Sequence, residues 1–205
     1  MVFLITIAGG SGSGKTNAAR IIGRGHESDI TLIYMDNYYK DLQKFKPSAR
    51  NKVNFDHPDA LDWVLFIPQM EELLKGNSIQ MPKYSFLTHT RKGHILVKPK
   101  KIIIVEGIFA LYDNRINSLA NLRIFIDTDA DICFIRRLRR DLKQRKRSPE
   151  SVIQQWLKTV KPMYDQYVGP TKKRAHIIIP EDPEEGMRDT AIDIIMSKIK
   201  NILQN

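Results

Sequence analysis

The stretch GGSGSGKT at residues 9–16 combines the residue types that bind phosphate groups. It has the spacing Gly9, four residues, then Gly14-Lys15-Thr16, between a strand-like and a helix-like run. Glycines let backbone N–H groups converge on phosphate oxygens at a helix N-terminus. In this motif the lysine reaches the β- and γ-phosphates and the hydroxyl ligates Mg²⁺. We therefore predict a nucleotide site made of Gly9, Gly10, Ser11, Gly12, Ser13, Gly14, Lys15 and Thr16, with Thr16 on the metal.

Two acidic residues follow two further apolar runs. Asp36 comes directly after DITLIYM, and Glu106 ends KIIIVE. A carboxylate at position 36 could accept the proton of an attacking hydroxyl group or orient a metal-bound water. Glu106 stands where proteins with such a loop place an acid on Mg²⁺, although Asp is more common there. We predict a catalytic role for Asp36 and a metal role for Glu106; a turn cap and a solvated carboxylate are the structural alternatives.

A dense basic run lies between Arg136 and Arg147. Eight of its twelve residues are Lys or Arg and one is Asp, so much of the net charge of +10 is concentrated there. Arg136 and Arg140 are four residues apart on a predicted helix, where like charges repel, which favours an anionic partner. We expect a lid at about residues 137–149, whose arginines stabilise charge on a transferred phosphoryl group. A solvated basic helix face is the alternative.

The elements that must position these residues alternate along the chain. Apolar, β-branched runs predict buried strands at residues 2–8, 29–36, 101–107, 122–129 and 176–180. Helical periodicity predicts helices at residues 16–23, 58–76, 130–146, 148–168 and 183–203. Strands this apolar favour a parallel sheet that binds ligands at the carboxyl ends of its strands. The sequence thus predicts an α/β fold with a five-stranded parallel sheet and helices on both faces.

The remaining segments are less regular. Residues 37–58 predict a loop, and residues 78–98 predict two short strands around a turn, forming a small hairpin lobe. The length of 205 residues and the 42% hydrophobic content favour one domain over residues 1–205. The first apolar run is too short for a bilayer and no basic segment precedes it, so we expect no signal peptide, transmembrane helix or membrane partner. A single cysteine, Cys133, excludes an intrachain disulfide and fits a cytoplasmic location, and the histidines show no zinc-type spacing.

The chain resembles the uridine kinase (uridine–cytidine kinase) family, relatives of phosphoribulokinase and pantothenate kinase. The resemblance extends over roughly residues 3–180. It is carried, in order, by GGSGSGKT, MDNYYKD, NFDHPDALD, KYSFLTHTR, VEGIFAL, FIDTDADICFIRRLRRDLKQRKRSPESVIQQWLKTVKPMYDQYVGPTKK and AHIIIP. NFDHPDA and the HTR element after Tyr84 are far more specific than the phosphate-binding loop.

This resemblance implies transfer of a phosphoryl group from ATP, with Mg²⁺, to the 5′-hydroxyl of uridine or cytidine. It implies a P-loop NTPase-type fold with a hairpin lobe over the nucleoside, an Arg-rich helical lid, and a homotetramer. Asp36 would be the acid–base residue, and Asp56 would accept the ribose hydroxyls beside Arg137. The other substrate contacts that it implies are Tyr39, Tyr84, Phe86, His89, Arg147 and Gln155, with Arg140 and Arg145 as lid arginines.

The side-chain chemistry suits these roles. A carboxylate accepts from two vicinal hydroxyls, aromatic faces stack on a pyrimidine, and a neutral imidazole has both a donor and an acceptor. Each residue also has a structural alternative: Asp56 as a helix cap, Tyr84 and Phe86 as core aromatics, His89 as a structural hydrogen-bonding group. The chain departs from the family pattern at Ser85, where Asp is common, and at Ser148-Pro149, directly after the lid.

Three other functions are weighed against this one. A kinase of another small alcohol, such as a phosphorylated pentose or pantothenate, would share the loop, but the KYSF and HTR elements argue against it. A P-loop ATPase or GTPase switch would hydrolyse nucleotide without an acceptor, and the N-K-x-D element of GTPases is missing from the sequence. A nucleic-acid partner is not predicted, because no aromatic residues are interleaved with the basic run.

Overall fold

The parallel sheet organises the molecule. The computed structural model describes residues 2–50, 52–182, 186–187 and 189–204. Within these residues, six strands form one sheet in the order β2-β5-β1-β6-β7-β8, and two form an antiparallel hairpin, β3-β4. The strands are β1 (Phe3–Gly9), β2 (Ile30–Tyr34), β3 (Ile79–Ser85), β4 (Thr90–Val97), β5 (Ile102–Glu106), β6 (Leu122–Asp127), β7 (Ile177–Asp182) and β8 (Gly186–Met187). Five strands are parallel, which confirms the predicted sheet; the two-residue β8 pairs antiparallel with β7 and was not predicted.

Helices connect the strands. They are α1 (Lys15–Gly23), α2 (Pro47–Arg50), α3 (Trp63–Leu74), α4 (Asn114–Leu119), α5 (Ala130–Arg145), α6 (Pro149–Gln155), α7 (Lys161–Met163) and α8 (Asp189–Gln204). Two π-helical stretches, Trp156–Val160 and Tyr164–Val168, flank α7, so the predicted helix at residues 148–168 is helical almost throughout. For the closing helix predicted at residues 183–203, residues 183–185 and 188 lie outside the described residues. The short α2 and α4 were not predicted.

Alternation along the strands produces two hydrophobic cores. In β1, Leu4 and Ala8 pack on one side of the sheet with Phe66 and Met70 of α3. The isoleucines of β1, with side chains of α1 and α8, form the second core on the other face. Because successive strand residues point to opposite faces, a strand buried on both must be apolar at nearly every position. In the part of the chain that the structure describes, no helix is long and apolar enough to cross a membrane.

Helix α3 begins later than predicted. We expected a helix from Pro58, but Pro58–Ala60 form only a 3₁₀ turn, and Leu61 pairs with Tyr39 in an isolated bridge. Asp62 then caps α3, its Oδ1 accepting a hydrogen bond from the Leu65 N–H at 3.1 Å. Leu61 has an extended backbone in this bridge, so the 3₁₀ turn cannot continue into α3, which begins only at Trp63. The bridge joins the two ends of the segment between Tyr39 and Leu61.

Candidate active site

The phosphate-binding loop connects β1 to α1, as predicted. Gly12 has φ +93°, and a Cβ added there would lie 2.2 Å from the backbone carbonyl oxygen of Cys133. No side chain fits such an approach, because real Cβ contacts do not fall below about 3 Å and L-residues avoid positive φ. The Ser13 N–H donates to the Gly10 carbonyl at 3.1 Å, and Lys15 Nζ donates to the same oxygen at 3.1 Å. The loop is therefore a fixed backbone structure whose lysine lies folded over it.

Thr16 and Glu106 meet at the start of α1. The Thr16 hydroxyl donates to Glu106 Oε1 at 2.9 Å, and Glu106 is 6% exposed. Burial raises the pKa of the Glu106 carboxyl group, while the charge of Lys15 opposes that shift. Hydroxyl and carboxylate oxygens are ligands that Mg²⁺ prefers. The chemistry of this oxygen pair therefore fits such a cation.

Asp36 lies where the phosphate side of the site meets the rest of the cavity. It is in a 3₁₀ turn, Met35–Tyr38, directly after β2. A Cβ at Gly107 would lie 2.6 Å from that of Met35, so the small residue after β5 lets this turn pack closely. Tyr39 is buried beside Asp36, and burial holds the pKa of its phenol well above the usual range. Tyr39 therefore stays a neutral donor next to the carboxylate.

An aromatic pocket lies beyond Asp36. The rings of Phe55 and His89 stack with centroids 4.5 Å apart and an angle of 17°. Tyr84 lies 5.5 Å from Tyr39, and its hydroxyl is 3.4 Å from His89 Nδ1. Burial, with the nearby charge of Arg145, lowers the pKa of His89, which is therefore a neutral imidazole at pH 7. Sequence reasoning gave no role to Phe55, although it adjoins Asp56 in the NFDH element.

An ion pair and hydrogen bonds to the backbone hold the hairpin that carries Tyr84 and His89. Arg91 pairs with Asp62 at 3.0 Å and donates to the Tyr39 carbonyl at 3.2 Å. His89 has φ +52°, an uncommon conformation for a residue with a side chain. Its carbonyl accepts a hydrogen bond from the Leu42 N–H at 3.3 Å. The surrounding loop thus maintains a strained backbone at the residue predicted to contact the base.

Asp56 and Arg137 connect this pocket to the phosphate-binding loop. Arg137 Nη1 lies 3.8 Å from Asp56 Oδ1 and donates to Ser11 Oγ at 2.7 Å, while Nη2 donates to Gln155 Oε1 at 2.9 Å. Burial raises the pKa of Asp56, and Arg137 opposes that shift. Thr159, which sequence reasoning missed, donates to Asp56 Oδ2 at 3.4 Å. Its spacing of four residues from Gln155 was an available signal, because such pairs share a helix face.

The basic segment surrounds a single acid, Asp141. This carboxylate is 0% exposed and lies within ion-pair distance of Arg137, Arg140, Arg145 and Arg147. The predicted repulsion between arginines is therefore partly balanced inside the protein, which weakens the sequence argument for an anionic partner. Arg145 also lies over the ring of Phe86, 4.5 Å from its centroid, so the end of α5 contacts the hairpin.

These groups open into one cavity of about 440 Å³. Of the predicted site residues, the glycines and Ser13 shape the loop, and the others line the cavity. The lining ones are Ser11, Lys15, Thr16, Asp36, Tyr39, Asp56, Tyr84, Phe86, His89, Glu106, Arg137, Arg140, Arg145, Arg147 and Gln155. The cavity therefore extends from a phosphate-binding loop, past Asp36, to an aromatic pocket with its own carboxylate, Asp56.

Known proteins share this chain's sequence and fold. The model of the phosphoribulokinase/uridine kinase family matches residues 4–188. A uridine kinase of Clostridium novyi (strain NT) is 48% identical over 202 residues, 98% of this chain and 96% of its own length. One of Clostridium perfringens (strain 13 / Type A) is 49% identical over 201 residues, covering 97% of this chain and 95% of its own.

A solved structure, phosphoribulokinase from Rhodobacter spheroides, superposes with a TM-score of 0.65 at 15% identity, covering 87% of this chain and 70% of that one. At this identity the likeness concerns the fold, which is that of P-loop kinases. The family model matches most of the chain, and relatives about half identical in sequence align with almost its full length. The chain therefore belongs to the phosphoribulokinase/uridine kinase family.

Proposed function

We propose that the protein is a uridine kinase, which transfers the γ-phosphoryl group of ATP to the 5′-hydroxyl of uridine and of cytidine, giving UMP and CMP. The observation that carries the proposal is the continuity of the cavity: Lys15, Asp36 and Asp56 line the same space. A donor phosphate and an acceptor ribose can therefore occupy it together. Relatives named uridine kinase, at 48% and 49% identity, support the choice of acceptor.

On the donor side, the loop amides and Lys15 bind the phosphates of ATP. Lys15 leaves the Gly10 carbonyl, to which it donates now, and turns to the β- and γ-phosphates. Thr16 and Glu106 would hold Mg²⁺, which would neutralise phosphate charge. A hydroxyl and a buried carboxylate 2.9 Å apart are a suitable pair of oxygen ligands for it.

On the acceptor side, the pocket fixes the nucleoside so that its 5′-hydroxyl points to Asp36. Asp56 accepts hydrogen bonds from the ribose hydroxyls, and Arg137 orients that carboxylate. The pyrimidine lies against the aromatic side chains, with neutral His89 at its edge. Asp36 accepts the proton of the attacking hydroxyl. Orientation of the two substrates supplies much of the rate enhancement, because the transition state has little covalent chemistry for the protein to perform.

Arginines of the basic segment stabilise the transferred group. Arg140, Arg145 and Arg147 line the cavity on the side of α5. Their guanidinium groups stabilise the equatorial oxygens of the transferred phosphoryl group.

The domain organisation, location and oligomeric state are also predictions. We expect a single domain over residues 1–205, with a hairpin lobe at about 78–98 and a lid at about 137–149, a cytoplasmic location and a homotetramer.

A coupled assay of ADP release with an acceptor panel tests the function. We expect turnover with uridine and cytidine, and at least about 100-fold lower kcat/KM with deoxycytidine, because a buried carboxylate loses a partner there. Turnover with ribulose 5-phosphate or pantothenate but with no nucleoside would assign another alcohol. Equal ADP release without acceptor would make the protein an ATPase.

A pair of variants tests the ribose contact. Asp56→Asn should reduce the preference of the enzyme for cytidine over deoxycytidine. Asp59→Asn is the matched control, because the Asp59 side chain is 87% exposed and close in sequence. An unchanged preference in Asp56→Asn would refute the assigned role.

A further inference from the structure

Asp141 is the buried centre of the arginine cluster, which we define as Arg137, Arg140, Arg145 and Arg147. Arg140 binds its Oδ1 directly, with Nη2 at 2.8 Å and Nε at 2.9 Å. The other three guanidinium groups lie at the longer distances of 3.7 Å (Arg137), 3.6 Å (Arg145) and 3.6 Å (Arg147). One carboxylate thus bonds one arginine tightly and attracts three others loosely.

The carboxylate does not saturate the cluster. Four guanidinium charges face one Asp141 charge, and Asp56, 3.8 Å from Arg137, is the second acid in ion-pair contact with the cluster in the described residues. Among those residues Asp141 Oδ2 and Arg137 Nε are buried and have no hydrogen-bond partner. Burial also lowers the pKa of Arg145, and the charge of Arg140 adds to that shift. Such a cluster attracts a further anion, and its arginines can exchange long contacts for short ones.

The backbone of Asp141 fixes the same turn. Its carbonyl accepts hydrogen bonds from the backbone N–H groups of Lys146 and Arg147, the latter at 3.3 Å. Lys146 adopts φ +50°, which ends α5 and turns the chain back. Arg145 and Arg147, on the two sides of this turn, therefore both return to the Asp141 side chain.

We propose that Asp141 is an internal counter-anion that orients the arginine cluster toward the transferred phosphoryl group and competes with that group for the arginines. It is a positioning residue, since it acts through the arginines, and the proposal rests on the proposed function. Without nucleotide, its charge keeps like-charged side chains together. When phosphate oxygens arrive, Arg145 and Arg147 give up contacts of 3.6 Å, while Arg140 stays bonded to the carboxylate. The arginines are thus already placed when charge develops on the phosphoryl group.

Asp141→Asn removes the charge and keeps the shape. We expect kcat with uridine to fall by about 10- to 100-fold, because the arginines lose their orientation. We also expect inorganic tripolyphosphate to bind about tenfold more tightly in calorimetric titrations at low salt, because a competing negative charge has gone. The matched control is Asp131→Asn, on the exposed first turn of the same helix, which should change neither value. A purely structural role would weaken tripolyphosphate binding together with kcat, and that result, or an unchanged kcat, overturns the proposal.

Asp141→Glu provides a second test that does not depend on folding of the Asn variant. It keeps the charge and displaces it by one methylene group, so kcat should fall while tripolyphosphate affinity stays within about twofold of wild type. Parallel loss of both, or loss of neither, contradicts the proposal. The tripolyphosphate measurement needs no nucleoside. Failure of the proposed function would appear as a wild-type enzyme without uridine turnover, whereas failure of this inference appears as unchanged or weaker anion binding in Asp141→Asn.

Discussion

The two ends of the cavity are built in different ways. The phosphate-binding loop is a run of eight consecutive residues whose shape depends on backbone, as at Gly12 with its φ of +93°. The proposed acceptor pocket draws on separated segments of the chain and depends on side chains, such as Phe55, His89, Arg137 and Thr159. A backbone site tolerates no change at its crowded glycines, whereas a side-chain site should lose function by degrees.

The largest expected effect is at the loop. In Gly12→Ala the new methyl group meets the Cys133 carbonyl at 2.2 Å in a strained conformation, so the free energy of unfolding should fall by about 3–5 kcal/mol and ATP binding should be lost. Denaturant unfolding and ATP calorimetry measure this. Gly25→Ala is the matched control: φ is +78° but no atom lies within 4 Å, so the cost should be only about 1 kcal/mol. An equal loss of unfolding free energy in the two variants would show that the close contact at Gly12 does not matter.

Asp36, where the two ends meet, comes next. In Asp36→Asn we expect kcat with uridine to fall by about 10²- to 10⁴-fold, because no base accepts the hydroxyl proton. ATP affinity should change little, since the loop is intact. Steady-state kinetics and ATP calorimetry separate the two. Turnover at the wild-type rate would disprove the catalytic role.

A smaller effect is expected in the pocket. Thr159→Val removes the hydrogen bond to Asp56 Oδ2, so KM for uridine should rise by about 3- to 10-fold, while KM for ATP should stay unchanged. Thr159→Ser keeps the hydroxyl and is the control. If Val and Ser variants have the same KM for uridine, the bond has no part in binding the nucleoside.

The smallest effect is a pH dependence of stability at Glu106. Burial raises its pKa in the folded protein, so the stability from this group is present at low pH and is lost as pH rises through the raised pKa. Glu106→Gln should therefore melt at a higher temperature than wild type at pH 8 without Mg²⁺, and this difference should shrink toward pH 4. Scanning calorimetry at the two pH values measures it. A difference that grows toward pH 4 would contradict the assigned direction.

The same contrast explains what the sequence could predict. The loop, Asp36 after β2, Glu106 at the end of β5 and the five parallel strands depend on contiguous residues, and their patterns are local. The start of α3 does not: Pro58 is a favourable first helical residue, but pairing of Leu61 with Tyr39, distant in sequence, shifts the start to Trp63. The two residues of β8 are too few to show a period.

The sequence named some of the residues that line the pocket and not others. The resemblance implied Tyr84 and His89, whereas Thr159 was missed although its spacing from Gln155 was a signal, and Phe55 was missed although it adjoins Asp56. Asp141 was visible as the one acid in the basic run, but its burial follows from how α5 and the turn after it pack. The sequence therefore showed the charge of Asp141 but not its burial.

The close approach of Gly12 to Cys133 fixes one end of α5 against the phosphate-binding loop. Cys133 lies in the first turn of the helix, and the arginines follow at increasing distance from it. At 1.5 Å per residue, Arg137 lies about 6 Å and Arg145 about 18 Å from it, so a tilt of about 10° moves them by about 1 Å and 3 Å respectively. A tilt of α5 about this contact would therefore displace Arg145 about three times as far as Arg137, which donates a hydrogen bond to Ser11.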